Sequence, residues 1–442
     1  TFLSSILLLG LIGGGLSALP ANNRFYAREG FFAVALIWLL TGVAGSLPFL
    51  FSGEFATPID CIFESCSGFT TTGATILTVI EPLPKGILFW RAFTHWLGGM
   101  GVLVLATAIV PKLGIRSHYL TQAETPGPVF SKLVPKQSQT SKILYTMYFA
   151  LTALEAVCLK IAGMPLYDAL IHSFSTAGTG GFSNRNASVG AYDSVPVDII
   201  ITVFMLLFSI NFAIYFLLLT RKWREALQSD ELRFFLSVVL GATAILTLAN
   251  LGVYSSVWES LRYTVFQVAS IISTTGFGTA DFVLWPQFSQ LIIVLIMFCG
   301  ASAGSTGGGM KCSRILLLLR AVRREIHRIT HPRSVEVVKL DGKLVSEATL
   351  HSLLVFLGAY VMTIFGAALI ISLDGQSFAV SFSAALTCVS NVGPGLEAIG
   401  PSGNFAAFSG LSKGVRSLCM IVGRLEIYPI LVLFSPSTWH KT

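Results

Sequence analysis

Threonine hydroxyls, glycine turns and the carbonyls between them are the groups in this chain that could do chemistry, and they recur at four places. The segments are Thr70-Thr71-Thr72-Gly73, Thr179-Gly180-Gly181-Phe182, Ser273-Thr274-Thr275-Gly276-Phe277 and Ser390-Asn391-Val392-Gly393. Their central glycines lie 108, 95 and 117 residues apart. None of the four holds a carboxylate, so a cation selected there must be held by neutral oxygens. Glycine can turn successive carbonyls to one side because it adopts backbone angles that other residues avoid. Four such loops around one axis would present a carbonyl ring that replaces the water shell of a cation. A lone Thr-Thr-Gly reads as a turn, whereas four at a regular period point to cation permeation.

The elements that must position these loops follow from the flanking sequence. Each signature closes an apolar stretch too short to span a bilayer and precedes a longer hydrophobic run, so the unit is helix, half-helix, glycine loop, helix. The first unit is expected over Phe31–Phe51, Pro58–Phe69 and Gly86–Val110, and the second over Ile143–Ala162, Pro165–Ala177 and Val197–Leu219. The third is expected over Phe234–Leu251, Val257–Ile272 and Phe288–Cys299, and the fourth over Leu350–Leu373, Ser377–Val389 and Phe405–Phe434. Pro58 and Pro165 stand at first helical positions with Asp60 and Asp168 in the first turn, and Ser256 with Glu259 fits a capping box. A ring (Phe63, His172, Phe266 or Phe382) precedes each glycine by 9 to 11 residues and is read as packing. The negative end of each half-helix dipole then faces the ion path.

The fold class is therefore an all-α polytopic membrane protein: four tandem pseudo-symmetric helix/pore-loop/helix repeats around one central pore, plus an N-terminal partial spanning helix. The divisions are 1–22 for that partial helix, then 23–140, 141–230, 231–345 and 346–442 for the repeats. Composition agrees, with 12% charged and 53% hydrophobic residues against about 25% charged in a soluble domain. The spans use up the chain and leave no separate soluble module. The run Phe2–Leu19 ends without a cleavage-site pattern and is read as a remnant of a spanning helix, not a signal peptide.

The net charge of +7 is uneven. Arg24 and Arg28 precede the first full span; Lys112, Arg116, Lys132, Lys136 and Lys142 follow the first repeat; Arg221, Lys222, Arg224 and Arg233 separate the second and third. The densest set runs from Lys311 through Arg314, Arg320, Arg323, Arg324, Arg328, Arg333 and Lys339 to Lys343, and Lys441 ends the series. By the positive-inside rule this side is cytoplasmic and the glycine loops face outside. The basic stretch exceeds what orientation needs and suits an acidic cytosolic partner. The seven cysteines lack metal-ligand spacing and are read as small buried side chains, Cys61 and Cys66 being the close pair in sequence. A membrane enzyme would need a convergent set of acid, base or nucleophile, and only isolated ones occur. Nothing points to nucleic acid.

Two further features lie at membrane depth. Gly300-Ala301-Ser302-Ala303-Gly304-Ser305-Thr306-Gly307-Gly308-Gly309 interrupts the third repeat's last span. Each glycine costs about 1 kcal/mol relative to alanine in a helix, so the helix is expected to break. Irregular backbone at that depth is tolerated where it lines a cavity or is buried in protein, which puts the break at the pore. Small residues also permit close helix packing. A phosphate-binding loop is rejected, because the spacing from Gly304 to Lys311 is one residue too long and Cys312 follows the lysine. Arg424 sits in the apolar run Leu418–Phe434, where an ionisable group should face water or a partner. Pairing with Glu426 and snorkelling to the cytoplasm are the other readings.

With these residues in view, the chain resembles the TrkH type of the TrkH/KtrB/HKT superfamily of potassium transporters. The resemblance rests on Ser46-Leu47-Pro48-Phe49-Leu50, Thr70-Thr71-Thr72-Gly73-Ala74-Thr75, Trp96-Leu97-Gly98-Gly99-Met100-Gly101, Ala123-Glu124-Thr125-Pro126-Gly127-Pro128, Ala303 to Lys311, and Gly423-Arg424-Leu425-Glu426. It implies a homodimer in a bacterial inner membrane and potassium as substrate, with no covalently bound cofactor. It also implies a cytosolic TrkA-type nucleotide-binding ring, which would carry any nucleotide. The implied ion-binding filter is Thr71, Thr72, Gly73, Thr179, Gly180, Gly181, Thr274, Thr275, Gly276, Asn391, Val392 and Gly393. The implied gate is Gly300, Gly304, Ser305, Thr306, Gly307, Gly308 and Gly309 with Arg424. In the second loop Gly178 and Gly180 compete with Gly181, which is favoured by the parallel between Phe182 and Phe277. A side chain at Gly178 is expected to matter less than one at Gly181. Asn391-Val392 removes hydroxyls from the fourth quadrant, implying looser selection and a large effect of a side chain at Gly393. The alternative is a sodium-permeable or sodium-coupled member of the superfamily. A secondary solute transporter with inverted repeats is disfavoured because all four units run in one direction.

Overall fold

The computed structural model describes residues 1–18, 27–101, 137–334 and 336–434. Arg24, Lys112, Arg116, Lys132, Lys136, Lys441, the segment Ala123–Pro128 and the end of the expected span Gly86–Val110 lie outside the described residues. Among the described residues the architecture is all-helical but for one β-pair, Lys339–Leu340 against Lys343–Leu344.

After α1 (Phe2–Ser17), four tandem units surround one axis. Each opens with a long apolar helix: α2 (Ala27–Ser52), α5 (Gln137–Ile161), α9 (Asp230–Ala249) and α13 (Glu347–Ile371). Among the described residues these are the four helices long and apolar enough to cross a membrane by themselves. Leu240, Leu248, Leu295 and Leu369 stay about two-thirds exposed or more, as expected of side chains that face lipid.

The half-helices are α3 (Pro58–Phe69), α6 (Leu166–Ala177), α10 (Val257–Ile272) and α14 (Phe378–Ser390). Thr57, Ser256 and Ser377 cap three of them by accepting from Asp60, Glu259 and Val380 backbone N–H at 3.3, 3.1 and 3.1 Å. Two start signals behave differently from expectation. Pro165 is the cap residue and not the first helical one. Glu259 completes its box one residue early, accepting from Ser255 N–H at 3.0 Å.

The closing helices depart most from the sequence reading. One break was expected, in the third repeat, where α11 (Gln287–Cys299) and α12 (Cys312–Thr330) flank the small-residue run. The second and fourth repeats break as well. Val197–Leu219 was expected as one span, but α7 (Val195–Ser209) and α8 (Phe212–Leu219) meet at a 92° bend. Asn211 caps the second piece, accepting from Ala213 N–H at 2.9 Å, and the opened backbone is filled by the third repeat's loop. In that filling, Ser302 N–H donates to Ser209 O and Phe212 N–H donates to Gly304 O. Phe405–Phe434 was expected as one span, but α15 (Gly410–Arg424) and α16 (Tyr428–Phe434) are separated by Glu426 and Ile427 at φ of +54° and +72°. In the first repeat α4 (Lys85–Gly99) ends in its glycine pair.

Closure of the circle between the fourth and first repeats uses buried charge. Lys413 Nζ lies 2.7 Å from Asp60 Oδ1, and the buried Arg416 guanidinium lies 5.7 Å from the centroid of the Phe63 ring. Removing one member of a buried pair strands the other, at a cost of about 3–5 kcal/mol. Lys413→Met should therefore lower the thermal unfolding midpoint of the solubilised protein, and adding Asp60→Asn should restore most of it. A double variant no more stable than the single one would assign the pair no structural role.

Candidate ion pathway

All four half-helices end in the same way. The residue before each glycine donates its N–H five residues back: Thr72 to Ser67 O, Gly180 to Ser175 O, Thr275 to Ser270 O and Val392 to Thr387 O, at 2.8 to 2.9 Å. This is the longer bond of a Schellman closure, which requires a left-handed residue at the turn. Thr71, Thr179, Thr274 and Asn391 occupy that position, with φ of +58°, +55°, +60° and +54°. A β-branched residue there is strained by about 1–2 kcal/mol. Asn391 is a residue that suits the angle, so the fourth loop is the relaxed copy of the turn. The side chains at this position also make contacts. Thr274 Oγ1 accepts from Gly308 N–H at 2.7 Å, and Asn391 Nδ2 donates to Thr72 Oγ1 and Met420 O, both at 2.9 Å.

The four loops close into a ring. Gly73, Gly181, Gly276 and Gly393 all have positive φ, from +77° to +102°. A Cβ at Gly73 would strike Gly180 O, one at Gly181 would strike Thr275 O, one at Gly276 Val392 O, and one at Gly393 Thr72 O. Each glycine thus abuts the carbonyl before the glycine of the next loop, in order around the axis. Gly393 has the most room, with Thr72 O at 2.6 Å from that Cβ. In the second loop it is Gly181 that carries the positive φ and meets its neighbour's carbonyl. Gly178 and Gly180 pack against His95 instead, the former against its backbone carbonyl. A side chain at Gly178 is therefore no benign control. A recess reaches all four glycines and is rimmed by Arg185, Asn186, Ser402 and Asn404.

Behind the ring, a polar residue on each half-helix fastens the strand that follows the glycine. Glu64, His172 and Gln267 stand nine residues before Gly73, Gly181 and Gly276, and Ser383 stands ten before Gly393. Glu64 Oε2 accepts from Ile76 N–H at 3.1 Å, Gln267 Nε2 donates to Ala280 O at 2.8 Å, and Ser383 Oγ accepts from Leu396 N–H at 3.1 Å. His172 Nδ1 donates to Asp168 O at 2.8 Å, which leaves Nε2 of a neutral imidazole to accept from the Ser183 hydroxyl at 3.0 Å. His172 is therefore more than the packing ring the sequence indicated. Phe63 and Phe266 are buried packing groups as expected, and Phe382 is partly buried against the core that holds Phe63. Glu64, Gln267 and Ser383 went unnoticed in the sequence, as did Arg91 and His95 on α4. The available signal was the set Glu64, Arg91 and His95, ionisable side chains on short apolar helices.

Below the ring, the run from Gly300 to Lys311 forms a non-helical loop with positive φ at Gly300, Gly304, Gly309 and Lys311. It touches the second, third and fourth repeats directly. A Cβ at Gly307 would lie 2.9 Å from Ser273 O, and one at Gly308 would lie 3.0 Å from Asn391 Cβ. Thr306 Oγ1 donates to Phe208 O at 3.1 Å. Arg424 Nη1 donates to Thr306 O at 2.8 Å, while Nη2 donates to Gly98 O at 2.6 Å and Gly99 O at 2.7 Å. The guanidinium therefore ties the loop to the end of α4, and Glu426, the partner weighed in the sequence, pairs with Arg314. Glu231 Oε1 ties the loop to the start of α12, accepting from Ala303 and Ser313 N–H at 2.7 and 3.0 Å. The thiols of Cys299 and Cys312, far apart in sequence, meet at its neck, 3.6 Å apart. On α12, Arg320 and Arg324 are engaged within the chain, by Asp230 at 2.8 Å and by Glu347 and Glu325 at 2.5 and 2.9 Å.

A ring lined by neutral carbonyls is an arrangement that can replace the water shell of a cation. Comparison with known proteins agrees in kind. The family described as TrkH, cation transport protein, matches residues 2–441. The Trk system potassium uptake protein TrkH of Salmonella typhimurium is 40% identical over 425 residues, covering 95% of this chain and 88% of that protein. Its counterpart of the same name in Halomonas elongata is 39% identical over 440 residues, covering 97% and 90%. The crystal structure of the potassium transporter TrkH from Vibrio parahaemolyticus superposes with a TM-score of 0.88 at 34% identity, over 99% of this chain and 92% of that one. The chain belongs to the TrkH family of cation transport proteins.

Proposed function

We propose that this protein takes up potassium across the bacterial inner membrane through the four-loop ring, with the loops facing outside. The single observation that carries the reading is the cyclic contact of Gly73, Gly181, Gly276 and Gly393 with the carbonyl of the next loop. Such a ring supplies neutral oxygens at a fixed radius and needs no carboxylate. The names of the relatives, potassium uptake proteins, support potassium as the cation. We read the loop 300–311 as the gate and Arg424 as its latch. The family resemblance adds a homodimer and a cytosolic TrkA-type ring that binds the regulatory nucleotide. Since Arg320 and Arg324 are engaged within the chain, the exposed Arg323 is the better candidate to meet that ring, followed by Arg328, 69% exposed and only loosely paired with Glu325 at 3.8 Å.

The filter reading is tested by rubidium flux into liposomes with sodium in competition. Serine at Gly73, Gly181 or Gly276 should cut the preference for rubidium over sodium about tenfold, the equivalent of one charge-assisted contact. Because Gly393 has the most room, Gly393→Ser should be the mildest of the four, against the sequence expectation of a large effect there. Wild-type preference in all four variants would exclude these loops as the filter.

The gate reading makes a separate demand. Deleting residues 303–306 should raise basal flux in protein that still elutes as a folded species, and Arg424→Ala should raise it too by releasing Thr306 O. A fall in flux with Arg424→Ala would make the arginine a structural tie for the pathway and not a latch.

A further inference from the structure

The filter reading leaves open what holds the ring at its radius, and the four fastenings behind it are unequal. The third and fourth loops are held by neutral hydrogen bonds from Gln267 and Ser383. The first two loops share one charged junction. Glu64 and Arg91 are buried at 0% and 1% exposure, with Arg91 Nε 2.8 Å from Glu64 Oε1. The guanidinium also donates from Nη1 to Ser183 O and from Nη2 to Thr75 Oγ1, both at 3.2 Å, and stacks 4.1 Å from the centroid of the Phe182 ring. The carboxylate accepts in addition from the Thr75 hydroxyl at 2.9 Å and Ile76 N–H at 3.1 Å. Thr75 and Ile76 lie two and three residues after Gly73, and Phe182 and Ser183 lie one and two after Gly181.

We propose that Glu64 and Arg91 are specificity-determining positioning residues, a single rigid junction that keeps loops one and two from closing on a smaller cation. This rests on the reading of the loops as the filter. A ring that selects potassium must resist the inward shift of carbonyls that would suit sodium. Charge-assisted bonds in a fixed fork resist it more than neutral ones, and lysine cannot reproduce that fork. Both strands are anchored to the same group, so neither moves inward without breaking a bond to a buried charge. The ring therefore has a stiff half, loops one and two, and a compliant half, loops three and four.

The test uses the purified full chain in liposomes, reading rubidium uptake against sodium, with the thermal unfolding midpoint of each variant. Arg91→Lys keeps the charge and loses the fork; Thr75→Val keeps both charges and loses the hydroxyl between them. The sodium concentration that halves rubidium uptake should fall about tenfold in Arg91→Lys and about threefold in Thr75→Val, with the unfolding midpoint of Thr75→Val close to wild type. If Arg91→Lys does not fold, Thr75→Val decides. Slower uptake with unchanged ion preference would mean a structural brace only and would overturn the proposal. Gly73→Ser run alongside separates the failures. A shifted preference in Gly73→Ser with none in Thr75→Val or Arg91→Lys refutes the junction and leaves the filter standing, whereas no shift in any variant refutes both.

Discussion

Four strands approach one another so closely that a glycine on each touches the carbonyl of the next, and the radius of the ring follows from that contact. The rest of the molecule serves this constraint. A side chain at the contact would push the strands apart, so each loop needs glycine there, and the preceding residue must turn left-handed to bring it in. Threonine accepts that strained turn in three loops and asparagine takes it in the fourth. Strain of about 1–2 kcal/mol per threonine persists only where the surroundings over-determine the backbone. Here the surroundings are the half-helix on one side and the fastenings from Glu64, His172, Gln267 and Ser383 on the other.

The same constraint explains why irregular backbone is concentrated beneath the ring. The loop 300–311 lies within contact of the turns at Thr274 and Asn391, and its polar groups need partners in a region that water does not serve. The bend at Ser209–Phe212 provides an opening for it. The broken helix in the second repeat is thus an accommodation to the loop of the third, whereas the fourth repeat's break leaves Glu426 paired with Arg314. Arg424 and Glu231 supply charge-assisted bonds to that loop from opposite flanks, so a displacement of the loop exchanges specific bonds and not merely packing.

Much of this was legible in the chain. Pro58–Phe69 and Val257–Ile272 were bounded by sequence as they stand in the structure, because capping residues and the following Thr-Thr-Gly mark both ends. The break at 300–309 was legible because glycine is costly in a helix. The breaks at Asn211 and at Glu426–Ile427 were not, since both lie in apolar runs whose hydropathy favours continuity and whose interruption comes from tertiary partners. Nor could period or composition pair Glu64 with Arg91, 27 residues apart on different helices. What a side chain at Gly178 would meet was hidden for the same reason, because its neighbour is the carbonyl of His95 on another helix.

The central claim is that a dehydrated cation rests within this ring of carbonyls. Crystals soaked with rubidium, and separately with sodium, can be measured at the rubidium absorption edge. The account predicts an anomalous peak on the axis, within coordination distance of the carbonyls of Thr72, Gly180, Thr275 and Val392, that weakens little when sodium is added. A peak elsewhere in the protein with none at the ring would contradict it.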